Sequence, residues 1–149
     1  MEIKLLSGAL GAEISGINLK DTSDVNFKKI NKLLLEHKVI FFRNQNISAE
    51  DQLELAKHFG PLEKHVYVKG RDEYPEIVRI IKKPNEKNQW GENWHSDVSY
   101  NVKPTKAVIL RSIKIPPVGG DTMFAKQVSP PTGGIFIDFI ITAFVGLTL

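Results

Sequence analysis

The order of apolar and polar positions divides the chain into short opening strands, two amphipathic helices and later strands set between polar loops. From Glu2 to Leu19, short apolar runs alternate with Gly8, Gly11 and Gly16, which predicts two short strands joined by turns. From Asp24 the period changes. Phe27, Ile30, Leu33 and Leu34 recur at helical spacing with Lys28, Lys29 and Lys32 on the other side, and Asp24 is the expected N-cap. Lys38 to Arg43 (KVIFFR) is a compact β-branched and aromatic run and predicts a buried strand. Ser48-Ala49-Glu50-Asp51 resembles a capping box for a second helix lined by Leu53, Leu55, Ala56 and Phe59 and stopped by Gly60-Pro61. Ile77 to Ile81, Val108 to Ile113 and Thr122 to Ala125 read as further strands, with a polar loop over Lys82 to Glu92 and a turn at Pro116-Pro117 and Gly119-Gly120. Helices first and strands after predict an α+β domain with a β-sandwich or barrel core.

Composition changes this picture little. A chain of 149 residues with 42% hydrophobic and 25% charged positions suits one globular domain. The net charge of +3 is spread among both signs with no run of five or six like charges, which argues against nucleic acid; the basic balance fits a Lys-rich solvated surface that helps attract anionic substrates. No cysteine is present, so a disulfide framework, a thiolate metal site and a cysteine nucleophile are excluded. Met1 to Leu6 is too short and mixed for a signal-peptide core, and the expected location is cytoplasmic. Ile135 to Leu149 (IFIDFIITAFVGLTL) is almost wholly apolar, but it falls short of the ~20 residues of a membrane span and Asp138 interrupts it. A buried strand or helix is the expectation there, ahead of a membrane tail.

The candidate chemistry lies in Gly91 to Tyr100 (GENWHSDVSY). His95 and Asp97 sit two apart, and on a strand residues i and i+2 project from one face. An imidazole and a carboxylate so placed supply two ligands of a facial triad, whose three open positions on Fe(II) take co-substrate and oxygen. The other histidines read more plainly: His37 as a helix-end residue and His58 as a solvated or half-buried helix residue. Arg79 and Arg111 are candidates for anion binding, with surface ion pairing the simpler reading.

The stretches NWHSDVSY and PTKAVILRSIKIPPVGGDTMFA resemble the metal and co-substrate region of the taurine dioxygenase (TauD/TfdA) family. GAEISGINL, EHKVIFFRNQNIS and LAKHFGPLEKH resemble that family's opening segments, and the likeness runs from Leu6 to about Ala125. It implies a double-stranded β-helix (jelly-roll) core with N-terminal helices, and a dioxygenase that uses Fe(II), 2-oxoglutarate and O2 to hydroxylate a small organic sulfonate or carboxylate. The implied metal ligands are His95 and Asp97, the implied 2-oxoglutarate contact is Thr122, and the implied substrate residue is His65. Gly91 stands where the family has an Asn for the sulfonate, which argues against taurine itself; Asn93 takes that role only with a shifted loop.

The family's distal His and its carboxylate-binding Arg come after the GGDT turn, yet no His follows Asp97 here and no Arg follows Arg111. The expected organisation is therefore the N-terminal part of a dioxygenase domain over 1–125 and a divergent apolar tail over 126–149, apparently truncated. Such a chain is inactive alone, or completed by a complementing C-terminal chain or a homo-oligomer; the alternative is a non-catalytic remnant or binding module of the same fold.

Overall fold

The structure, a computed structural model, describes residues 1–81, 95, 97, 101–115 and 122–125, and the backbone of 142–146. In chain order the described elements are β1 (Glu2–Leu5), β2 (Ala12–Ser15), α1 (Asp24–His37), β3 (Ile40–Arg43), α2 (Ala49–Lys57), β4 (Val108–Ser112) and β5 (Thr142–Gly146).

The glycine-punctuated opening forms its two strands. β1 runs antiparallel to β2, with Ile3 opposite Ile14 and Leu5 opposite Ala12. Gly11 enters β2 at φ +93°, a conformation that a Cβ disfavours, and its N–H donates to the His37 carbonyl at 2.9 Å.

Helix α1 starts one residue earlier than the pattern implied. Ser23, not Asp24, is the N-cap, its side chain accepting from the Asn26 N–H, while Asp24 sits in the first turn near the positive end of the helix. Asn26, Ile30, Leu33 and Leu34 are buried, the i, i+4, i+7, i+8 stripe of an amphipathic helix. Asn26 is the buried polar residue among those described, and its Nδ2 donates to the carbonyls of Asn18 (3.2 Å) and Asp21 (2.6 Å). The cost of burying its amide is offset by these two bonds.

Lys38 turns the chain at φ +68°, so β3 begins at Ile40 rather than Lys38. It lies parallel to β2, Ala12 opposite Ile40 and Ile14 opposite Phe42, with α1 as the crossover that parallel pairing requires. Ile40 and Phe42 are buried, while Arg43 on the alternate face reaches Glu13 at 3.1 Å.

Helix α2 carries the capping box in full. Ser48 accepts from the Asp51 N–H at 3.1 Å, and the Asp51 carboxylate accepts from the Ser48 N–H at 2.8 Å. The helix ends at Lys57, so Phe59 lies beyond it, edge-on to Phe27 at 4.9 Å; His58, half-buried at the C-cap, meets the same ring at 5.0 Å. β4 is fastened to this region by Gln52 Nε2 donating to the Ile109 carbonyl (3.2 Å) and Arg111 donating to the Ile47 carbonyl (2.5 Å). Arg111 thus ties loop to strand.

The sheet order is β1-β2-β3-β5-β4. The apolar tail contributes β5, which runs parallel to both neighbours, Phe144 opposite Phe41 on one side and opposite Leu110 on the other. The core lies between one sheet face (Ala12, Ile14, Ile40, Phe42) and the helices (Ile30, Leu33, Leu34, Leu55), with Phe59, Ala107 and Ile109 packed against it. A small apolar gap lined by Ile30, Leu34, Phe42, Leu55 and Ile109 belongs to this core and not to the metal-ligand pair. The chain is α+β as expected; its described strands form a single mixed sheet. Among the described residues, no helix is long and apolar enough to cross a membrane.

Two expected strands do not form. Residues around Ile77 close a tight loop instead, with Arg71 N–H donating to the Ile77 carbonyl (2.9 Å) and Ile77 N–H donating to the Tyr74 carbonyl (2.9 Å). Gly70 permits that closure, because a Cβ there would meet the Pro75 carbonyl oxygen at 2.0 Å. Ile80 and Ile81 follow in exposed, unladdered backbone. Thr122 to Ala125 is likewise outside any strand. β-Branched residues favour strands only where a neighbouring strand supplies the ladder.

Candidate metal centre

His95 Nε2 lies 3.3 Å from Asp97 Oδ1. The approach is not that of a strand. Asp97 sits in a bend, His95 is outside regular structure, and the bend rather than a shared strand face brings the two side chains together. Two ligands bound cis at about 2.1 Å around an octahedral ion stand about 3 Å apart. The imidazole nitrogen and carboxylate oxygen are therefore spaced, and chemically suited, to hold one divalent ion. Their side chains are 55% and 35% exposed, so an ion held by them alone would face water on its remaining sides. Among the described residues, no third His, Asp or Glu joins them in a metal-binding group.

The other site residues are placed as follows. His65 is half-buried, and its Nδ1 accepts from the N–H groups of Tyr67 and Val68, both at 3.2 Å. With Nδ1 occupied as an acceptor, the neutral ring carries its proton on Nε2 and turns a donor toward its surroundings. Thr122 is exposed, and its segment is anchored by Phe124, whose ring meets Phe41 of β3 edge-on at 6.0 Å. Phe41 lies on the sheet face opposite Ile40 and Phe42, so the segment carrying Thr122 docks on the face away from the helices. Asn93, Gly91 and Trp94 lie outside the described residues.

One contact had no signal in the local pattern. Asn101 Nδ2 donates to Glu63 Oε1 at 2.7 Å, across 38 residues. It ties the segment bearing His65 to the segment that follows Asp97.

The model of the taurine catabolism dioxygenase TauD, TfdA family matches residues 2–129. The chain belongs to this family. Among curated proteins, it is 39% identical over 130 residues to an alkylsulfatase of Acinetobacter baylyi, covering 85% of this chain and 39% of that protein. It is 33% identical to an alpha-ketoglutarate-dependent sulfate ester dioxygenase of Pseudomonas putida, covering 85% of this chain and 42% of that protein. It is 30% identical to an alpha-ketoglutarate-dependent sulfonate dioxygenase of Saccharomyces cerevisiae, covering 86% and 34%. A solved structure assigned as an alpha-ketoglutarate-dependent taurine dioxygenase from Burkholderia xenovorans superposes with a TM-score of 0.55 at 30% identity, covering 69% of this chain and 37% of that one. The chain thus spans about two-fifths of the length of the curated relatives it matches. The family match stops at residue 129, so β5 lies beyond it.

Proposed function

We propose that His95 and Asp97 are two protein ligands of a non-haem Fe(II) site, and that the whole domain is a 2-oxoglutarate-dependent dioxygenase with a jelly-roll core. The observation that carries this reading is the 3.3 Å approach of an imidazole nitrogen and a carboxylate oxygen in a chain of the TauD/TfdA family. The substrate class is a small organic anion: a sulfonate, a sulfate ester or a carboxylate. Relatives named for sulfonate and sulfate ester substrates support it, as does the donor that His65 presents on Nε2.

When bound, Fe(II) with 2-oxoglutarate and O2 supplies an oxidative decarboxylation, giving succinate and CO2 and placing one oxygen atom on a substrate carbon. The residues of this chain have simpler tasks. His95 and Asp97 hold one side of the ion and leave the rest for the distal protein ligand and the co-substrates. His65 orients an anionic substrate by a hydrogen bond, and Thr122 contributes to the 2-oxoglutarate pocket. The third ligand comes from outside the described residues. The relatives are more than twice as long as this chain, and the distal ligand is expected in the part of the domain that lies beyond the 149 residues, whether in the same polypeptide, a complementing chain or a second copy.

Anaerobic addition of Fe(II) and then 2-oxoglutarate tests the site through the visible charge-transfer absorption of the chelate. The band is expected with the wild-type chain, and His95→Ala and Asp97→Ala should each abolish it. A band that survives both substitutions, or no band even when the C-terminal part of a relative is added to supply the distal ligand, would overturn the metal reading. A band without succinate formation, with or without the complementing chain, would favour a non-catalytic binding module.

A further inference from the structure

Two sets of contacts hold His65 and its segment. Its ring is held from within its own turn, Nδ1 accepting from the Tyr67 and Val68 amides. Its segment is held from outside, Glu63 accepting from Asn101 at 2.7 Å and Lys64 lying 4.0 Å from Glu76. Glu63 links that segment toward the site: Asn101 follows Asp97 by four residues and Glu63 precedes His65 by two. A fully extended chain spans at most about 3.6 Å per residue, so Asn101 lies within about 14 Å of Asp97 and Glu63 within about 7 Å of His65 along the backbone.

Resting on the metal reading above, we propose that Glu63 and Asn101 are positioning residues. Their hydrogen bond is a strap that sets the separation between the His65 donor and the ion on His95 and Asp97. In a hydroxylase that separation selects which substrate carbon is presented to the ion, because the anionic head is gripped at one end and the reacting bond must reach the other. The bond fits this task. It joins two loops that are 38 residues apart in sequence.

The test uses the full chain, labelled on histidine, with Mn(II) as the probe. Paramagnetic broadening of the His95 ring signals reports that the ion is bound, and broadening at His65 reports its distance. In wild type both rings broaden. In Asn101→Ala, His95 should broaden as before, while the broadening at His65 falls at least twofold and becomes unequal between its two ring protons. Glu63→Gln keeps an acceptor oxygen and should retain the wild-type ratio, whereas Glu63→Ala should match Asn101→Ala. His65 broadening unchanged in both alanine variants, with His95 still broadened, overturns the strap and leaves the metal reading standing. A His95 ring that does not broaden in wild type overturns the metal reading, and the strap falls with it.

Discussion

Asn26 uses both protons of its amide, one on the Asn18 carbonyl and one on the Asp21 carbonyl, inside a helix face that is otherwise apolar. Asn26→Leu keeps the bulk but strands two carbonyls, and it should lower stability by about 1–3 kcal/mol, read as a shifted urea midpoint at unchanged slope. The carboxylates at the two helix starts have a different signature. The Ser48 backbone N–H, and with it the nearby Lys20, holds the Asp51 carboxyl below its usual range. The Ser23 side chain and then its backbone N–H do the same for Asp21. A folded-state value below the unfolded one contributes stability that is complete above the unfolded value of about 3.9 and disappears as pH falls through the lower folded value. Asp51→Asn should therefore be less stable than wild type at neutral pH and indistinguishable from it once the pH lies well below the lowered folded value, as followed by circular dichroism in urea. At the metal pair, His95→Ala should weaken divalent-ion affinity by more than about a hundredfold by calorimetry, since even changes to outer-shell partners cost about 10–100-fold.

The helices show which information is local. α1 and α2 are set by residues three and four apart and by caps that reach three residues, so their existence and their buried stripes were legible in the order of residues. Ser48→Ala should cost about 1 kcal/mol by removing the α2 cap, and Lys38→Gly should gain about 1 kcal/mol by relieving a side chain at φ +68°; chemical denaturation measures both. Strands depend on partners that the local pattern does not name. Ile77 to Ile81 and Thr122 to Ala125 have strand-like side chains, yet the first follows a loop pinned by Gly70 and the second lies against Phe41 by a ring contact. The site divides in the same way. A spacing of two picked out His95 and Asp97, but the Glu63–Asn101 bond across 38 residues is a tertiary fact that no short window holds.

In the whole molecule, β5 is the piece on which the sheet's continuity turns. It pairs with three residues of β3 and five of β4, and β4 reaches the rest of the sheet through it. Val145→Pro removes an amide from this inner strand, and hydrogen exchange at Val108 to Ser112 should quicken at least about tenfold while the middle of α1 changes little. The same arrangement sets a clock on synthesis. β1, β2, α1 and β3 leave the ribosome within the first 43 residues and can associate at once, but the neighbour that β3 receives on its other side is still about a hundred residues from translation. Until that strand arrives, β3 waits with one open edge, and over that stretch of elongation the nascent chain relies on whatever shields Ile40 to Arg43 from other chains.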